Sequence, residues 1–298
     1  MIDLDAITIH FNAESRQLMN GLLAFIMFGV AMDIQWAGVR KVVQKPRGIW
    51  LGMMSQFILL PALTTGLIFI IQPQASVALG MILLASVPGG NISNFMSSLA
   101  RGNIELSISL TAISSVASIV MTPFNFMFWG SLYQPASEVL RTIQLEPLEV
   151  FQIIAVLLVI PLFLGTAFRS WFPLLADRIK QPIKILSILI FLGFVAVAFY
   201  ANFDRFTTVI QYIAGYVFLH HSTAVLSGYF VGALGRLDEP SRRTLAIETG
   251  IQNSGLALIL IFNFFDGLGG MALMAAWWSI WHITIGLLIS GIWSRFAP

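Results

Sequence analysis

The sequence predicts an all-α membrane protein of nine transmembrane helices, and three observations carry that expectation. Apolar runs of bilayer-spanning length recur nine times. Of the 298 residues, 57% are hydrophobic and only 10% charged, against roughly 25% charged in an average soluble chain. Two of the runs are broken at mid-depth, by Pro88-Gly89-Gly90-Asn91-Ile92-Ser93-Asn94 and by Glu248-Thr249-Gly250-Ile251-Gln252-Asn253-Ser254-Gly255. In a bilayer each unpaired backbone group costs several kcal/mol, so unwound chain at that depth persists only inside protein or beside a water-filled cavity. Two such breaks point to a shared binding site of the kind transporters use.

The first run, residues 16–34, follows an acidic start, Met1-Ile2-Asp3-Leu4-Asp5. It has no basic segment or small-residue cleavage site, so the first helix is expected to insert uncleaved. The second run, 48–71, carries Gln56 at mid-depth and Pro61 five residues later. The third, 76–98, holds the first break. In the fourth, 104–132, Ser107, Thr111, Ser114 and Ser118 are spaced four, three and four apart, which makes one hydroxyl stripe on a helix. A loop at 133–147 with Pro135, Arg141 and Pro147 then separates four spans from five. Runs 149–168 and 182–201 are plainly apolar, 206–234 contains His220 and His221, 241–263 holds the second break, and 270–293 carries Trp277, Trp278, Trp281 and His282. Most runs reach the roughly 20 residues a bilayer demands. Each half places its broken span next to last, as an inverted repeat would if the first half had lost its opening helix.

Loop charges set the expected orientation. Arg40, Lys41, Lys45, Arg47, Arg101, Arg169, Arg178, Lys180, Lys184, Arg236, Arg242, Arg243 and Arg295 fall on one side if the spans alternate, leaving only Arg16, Arg141 and Arg205 for the other. The positive-inside rule therefore puts the amino terminus outside and the carboxyl terminus in the cytoplasm. The net charge of +2 resides in loops, which gives no nucleic-acid surface, and the absence of cysteine excludes disulfides and thiolate metal sites.

Glu248 is the sharpest single residue. A carboxylate inside an apolar span costs about 2.5 to 3.5 kcal/mol on insertion scales, and no Lys or Arg lies at similar depth in any span. A cation or a proton is the expected partner; the competing reading is a protonated Glu248 hydrogen-bonded between helices. Gln252 shares its helical face, Asn253 and Ser254 add amide and hydroxyl oxygens, and unwinding at Gly250 frees the carbonyls of Thr249 and Ile251. Oxygen-only ligands suit a hard alkali cation, sodium in the simplest case. At the other break, Pro88 lacks a donor and Gly89-Gly90 tolerate unwound backbone. Asn91, Ser93 and Asn94 then open a half-helix whose exposed N–H groups can receive a substrate carboxylate; a Pro kink capped by Asn is the plainer alternative. Ser114 and Ser118 fit close helix packing, while Ser107 and Thr111 matter if they face Asn94. Gln56, a lone Gln at mid-depth, reads by itself as interhelical glue. His220, His221 and His282 are either proton carriers or neutral rings bonded to helix carbonyls. Asp33 and Glu105 sit near span ends, where they are solvated or favour the helix dipole, and Trp277, Trp278 and Trp281 read as packing and interface anchors.

Taken together, Pro88-Gly89-Gly90-x-x-Ser93-Asn94, Ala100-Arg101-Gly102-Asn103, Glu248-x-Gly250-x-Gln252-Asn253-Ser254-Gly255-Leu256, Gln56 to Pro61 and Trp281-His282 resemble the signature stretches of the bile acid sodium symporter family. The resemblance implies an inverted-repeat core with two crossing broken helices and a smaller panel domain. Residues 1–46 would hold the amino terminus and first panel helix, 47–132 the first half of the core, 133–203 the panel helices and 204–298 the second half of the core. It implies two co-transported sodium ions, one held by Ser93, Asn94, Ser107, Thr111 and Glu248, the other by Gln56, Glu248, Gln252 and the carbonyls of Thr249 and Ile251. Gly90, Asn91, Asn253 and His282 would face the substrate. Two departures stand out: the ten-helix bacterial pattern has a first helix missing here, and position 91 is Asn where a hydroxyl residue such as Thr is expected.

The expected function is sodium-coupled symport of a small organic anion, of the bile salt, pantoate-like or keto acid class, in a bacterial inner membrane, with the lipid bilayer as surroundings and no obligate protein partner. The alternative is a proton-coupled or uncoupled permease of an anion or of a metalloid oxyanion such as arsenite. An intramembrane hydrolase is disfavoured, because the sequence contains no Gly-x-Ser-Gly, no Gly-x-Gly-Asp and no His-Glu-x-x-His. The charge distribution yields a direct test of topology: an amino-terminal tag should be accessible from outside intact cells and a carboxyl-terminal tag only after permeabilisation, and finding both on one side would rule out the nine-span arrangement.

Overall fold

The computed structural model describes residues 3–6, 13–32, 46–90, 92–143, 147–201 and 203–296. Among these the chain is helical, and its only β-type pairing is a single antiparallel bridge between Gly89 and Gln252. The helices are α1 (Ala13–Ala31), α2 (Arg47–Ile71), α3 (Ala75–Ser86), α4 (Ser93–Leu99), α5 (Ile104–Leu132), α6 (Gln134–Ile143), α7 (Pro147–Ile154, continued through Ala155–Val159 to Ile160–Trp171), α8 (Pro173–Ala201), α9 (Phe203–Leu234), α10 (Glu239–Gly250), α11 (Ser254–Phe264) and α12 (Gly269–Trp293). Five helical stretches among the described residues are long and apolar enough to cross a membrane. The pairs α3 with α4 and α10 with α11 are the two interrupted runs, each half too short to span alone.

Proline and polar caps explain where these helices change course. Pro61 and Pro161 cannot donate to the preceding turn, and in both α2 and α7 the residues just before them widen into a π turn, Ser55–Leu59 and Ala155–Val159. In α2 the Phe57 carbonyl, which Pro61 cannot satisfy, receives Asn125 Nδ2 of α5 at 2.9 Å. Gln56 lies inside this π turn and is buried. Asn103 and Asn253 cap α5 and α11, their Oδ1 atoms accepting the N–H of Leu106 and Leu256 at 3.0 Å each. At the opposite end of the molecule, Asp5 Oδ1 accepts the Ser76 N–H at the start of α3 at 2.8 Å, a cap supplied from a distant segment.

Packing turns the usual polarity of a protein outward. Every residue of α3 is buried and nearly every residue of α11 is, so both are surrounded by other helices. Their side chains build the main core with Leu60, Met271, Met274 and Trp278. Large apolar side chains such as Trp50, Phe69, Val120, Phe163, Leu226 and Leu288 are exposed on α2, α5, α7, α9 and α12, as a lipid-facing surface requires. Helices α9 and α10 approach most intimately: a Cβ at Gly228 would lie 2.3 Å from the Leu245 carbonyl oxygen, so only glycine allows the contact. Helix α1 packs on α7 and α8, and this group meets the remainder chiefly through α5 and α11.

Two sequence expectations are revised. The stretch read as a loop at 133–147 contains α6, whose Ala136 and Leu140 are buried while Ser137, Glu138, Arg141 and Thr142 face outward or sit at the margin. Its polar face hid it from a search for long apolar runs, and Pro135 is tolerated in the first turn. The run expected at 182–201 begins earlier, at Pro173, because the charged turn containing Asp177, Arg178 and Lys180 is also helical.

The Asn125 contact can be tested. Replacing Asn125 with Leu leaves the Phe57 carbonyl unpaired beside the π turn, so thermal unfolding in detergent should show a loss of about 1 kcal/mol. An unchanged melting temperature would mean that the carbonyl finds another partner.

Candidate functional site

The two interrupted runs meet at the Gly89–Gln252 bridge. Gly90 N–H donates to the Ile251 carbonyl at 2.6 Å, and Asn253 N–H donates to the Pro88 carbonyl at 2.8 Å. Each break thus satisfies backbone groups that the other leaves open, which answers the cost of unwound chain at depth. The contact is close: a Cβ at Gly90 would lie 2.9 Å from the Gln252 carbonyl oxygen. Gly90 is therefore a packing requirement of the crossing, whatever else it touches.

Glu248 is 2% exposed and lies in the last turn of α10, where the negative end of the helix dipole disfavours a carboxylate. The start of α4 faces it, and Ser93 Oγ donates to Glu248 Oε1 at 2.6 Å. Ser107 Oγ also donates to Oε1, and Thr111 Oγ1 lies 3.3 Å from Oε1 and 3.2 Å from Oε2. Asn94 Oδ1 completes the group, 2.8 Å from Ser107 Oγ and 3.3 Å from Thr111 Oγ1. Thr111 Oγ1 is in addition 3.1 Å from the Ser107 carbonyl. Three hydroxyl protons thus confront two carboxylate oxygens, an amide oxygen and a backbone carbonyl. Acceptors outnumber protons, and the surplus lone pairs suit a bound cation. Glu248 takes part in no ion pair among the described residues.

A second cluster converges on the other face of the same carboxylate. A Cβ at Gly89 would lie 3.0 Å from Glu248 Oε2, 3.2 Å from Gln56 Nε2 and 3.4 Å from the Glu248 carbonyl. Gln56 and Gln252 are each 1% exposed, and Gln56 Nε2 and Gln252 Oε1 have no hydrogen-bond partner. A half-turn of the Gln56 amide puts its oxygen where the nitrogen stands, which makes it an oxygen ligand. Gln252 Nε2 donates to the Thr249 carbonyl at 2.6 Å, and Thr249 Oγ1 is 3.0 Å from Ser55 Oγ. The Ile251 carbonyl already accepts from Gly90, with one lone pair remaining. Apart from the Glu248 carboxylate, the donors of both clusters are neutral hydroxyl, amide and carbonyl oxygens, a set that suits an alkali cation.

Of the expected substrate-facing residues, Asn91 lies outside the described residues. Asn253 caps α11 through Oδ1 and keeps a buried Nδ2 without a partner. His282 belongs to a separate buried group around Trp278, whose ring is 4.7 Å from His220, 5.4 Å from His221 and 6.4 Å from His282. His220 Nε2 shares a hydrogen bond of 2.8 Å with Thr64 Oγ1. Ser114 and Ser118 bond to their own helix, at Thr111 and Ser115 carbonyls, in keeping with a packing role. Glu105 is exposed in the first turn of α5, and Asp33 lies outside the described residues.

A narrow cleft lies alongside the first cluster, lined by Met27 of α1, Leu162 of α7 and Asn94, Ile108, Thr111, Ala112 and Ser115. Sequence reasoning did not find Met27, Leu162 or Ser115, since nothing in an apolar run marks which side chain faces a distant cluster. Ser115 stood beside the hydroxyl stripe and was the one legible signal.

Most of the chain is similar to known sodium-dependent transporters. The chain is 29% identical over 273 residues to an uncharacterised sodium-dependent transporter, YocS, of Bacillus subtilis, covering 92% of this chain and 82% of that one. It is 26% identical over 279 residues to the probable chloroplastic sodium/metabolite cotransporter BASS1 of Arabidopsis thaliana, covering 93% of this chain and 66% of that one. Against the hepatic sodium/bile acid cotransporter of Rattus norvegicus it is 25% identical over 275 residues, 90% of this chain and 74% of the rat protein. The model of the sodium bile acid symporter family matches residues 21–208, well over half the chain, and with two oxygen-lined clusters sharing a buried carboxylate where its broken helices cross, the protein belongs to that family of sodium-dependent transporters.

Proposed function

We propose that this protein is a symporter that couples two sodium ions to the uptake of one small organic anion by alternating access. The observation that carries the reading is Glu248, a buried carboxylate that has no cationic partner among the described residues and is set among more oxygen acceptors than there are protons to share. One sodium sits among Ser93, Asn94, Ser107, Thr111 and Glu248. The other sits among Gln56, Glu248, Gln252 and the carbonyls of Thr249 and Ile251. Nine membrane passes in an inverted-repeat arrangement, with α1, α7 and α8 as the moving panel, put the cleft beside Asn94 and Thr111 at the panel's edge, and the anion binds there, close to the amides that open α4. The anion is of the bile salt, pantoate-like or keto acid class, a reading supported by the names of two relatives, a probable sodium/metabolite cotransporter in the plant and a sodium/bile acid cotransporter in the rat. In a bacterial inner membrane, two sodium ions entering with a monoanion carry one net charge, so the membrane potential contributes about 2.3 kcal/mol per 100 mV.

Removing the charge at Glu248 should remove the cation response. In Glu248→Gln, stabilisation by sodium over potassium, read as a shift in melting temperature, should vanish while the protein still folds. Asn94→Ala and Gln252→Ala should each raise the sodium concentration needed for half the effect. Normal sodium dependence in Glu248→Gln would reject the assignment.

Coupling is testable at equilibrium. Sodium should tighten a pantoate-like or keto acid, and that acid should tighten sodium by the same factor, while potassium does neither. Asn91→Thr should change which anion binds best and leave sodium affinity in the absence of anion nearly unaltered. Equal anion affinity in sodium and potassium would replace symport by the proton-coupled or uncoupled permease.

A further inference from the structure

The helices that carry the cation ligands are fastened together a second time, at the end remote from the crossing. Arg243, five residues before Glu248 on α10, is 4% exposed. Its Nη1 faces three carbonyls, those of Ala100 at 3.1 Å, Trp293 at 3.1 Å and Phe296 at 3.3 Å, and its Nε lies 3.2 Å from Glu239 Oε1. The guanidinium carbon stands 5.8 Å from the centre of the Trp293 ring. Next to it, Thr244 Oγ1 accepts the Asn103 N–H at 2.8 Å and reaches back to the Asn103 carbonyl at 3.3 Å. Asn103 Nδ2 donates to Ser241 Oγ at 3.1 Å.

Ala100 closes α4 and Asn103 opens α5. Arg243 and Thr244 therefore tie the base of α10 to the two helices that supply Ser93 and Asn94 on one side and Ser107 and Thr111 on the other. Helix α4 has only seven residues, about 10 Å of rise, so it behaves as a short strut pinned at Ser93 above and at Ala100 below. An arginine suits the lower pin for two reasons. The carbonyls it holds end α4 and α12, where helix dipoles present negative charge, and its planar fork reaches several acceptors at once, which a lysine ammonium on a flexible stem does not.

We propose that Arg243, assisted by Thr244, is a positioning residue for the sodium sites: it sets the distance between Glu248 and the hydroxyl and amide ligands of α4 and α5 without touching the ion. The inference rests on the sodium reading above. Its test measures sodium alone, as the concentration giving half-maximal thermal stabilisation at constant ionic strength with potassium as the balance. Arg243→Gln should raise that concentration about tenfold, with Arg243→Lys recovering part of it. Thr244→Val should raise it severalfold and Thr244→Ser should restore it. A side chain that merely anchors the fold would instead lower the melting temperature equally in both salts and leave the half-saturating sodium concentration unchanged, and that outcome overturns the proposal. Should Arg243→Gln not fold, the Thr244 pair decides: unchanged sodium half-saturation in Thr244→Val overturns it. If the unmodified protein shows no sodium response, the sodium reading falls and this inference with it, whereas a normal response in the unmodified protein and all variants overturns this inference alone.

Discussion

Everything at the centre of this molecule follows from one constraint: backbone groups placed in lipid must be paired inside the protein. Breaking a helix at mid-depth exposes amides and carbonyls, and a single break has nothing at hand to satisfy them. Two breaks that pass each other do. The reciprocal bonds from Gly90 to Ile251 and from Asn253 to Pro88 close the account at the crossing. That solution dictates the rest. Backbones at such separation require glycine at position 90, and the apolar halves α3 and α11 must be enclosed by other helices because they form the outer arms of the crossing.

The crossing also creates an electrostatic opportunity. Glu248 stands where α10 ends and α4 begins, disfavoured by one dipole and favoured by the other. Hydroxyls from α4 and α5 solvate it, yet none brings a full positive charge. The arginines are stationed elsewhere. Arg243 holds the carbonyl ends of α4 and α12, and Arg169 donates to the Met32 carbonyl just beyond α1 at 2.9 Å while pairing with Asp177. Both of these arginines serve helix ends, and among the described residues no cationic side chain pairs with the buried carboxylate.

Much of this was legible in the sequence because lipid permits so few solutions. The interruptions at 88–94 and 248–255 showed as polar residues in otherwise apolar runs, and the structure breaks the helix inside each stretch, in the second at residues 251–253 and not at the expected Gly250, which still ends α10. Ser93, Asn94, Ser107, Thr111 and Glu248 do come together, as do Gln56, Glu248, Thr249 and Gln252. What the sequence concealed were features with no period or composition of their own. Helix α6 is amphipathic and short. The π turn at Gln56 depends on Pro61 acting four residues back, and the Asn125 contact that completes it is set by tertiary packing. His282, which the resemblance sets facing the substrate, packs with His220 and His221 around Trp278, a grouping that nothing in the run 270–293 marks.

The brevity of the half-helices bears on how the chain is assembled during synthesis. A seven-residue α4 and twelve-residue α3 and α10 are each far shorter than the roughly 30 Å hydrocarbon layer, so none can settle as an independent membrane helix. The amides freed at Gly90 find the Ile251 carbonyl only once residues some 160 positions later have left the ribosome. Until then the first break must shelter in water, in an earlier helix or in the insertion machinery. The centre of the protein is consequently the last part to become chemically complete, and a lesion at the second break leaves the first one unmated as well.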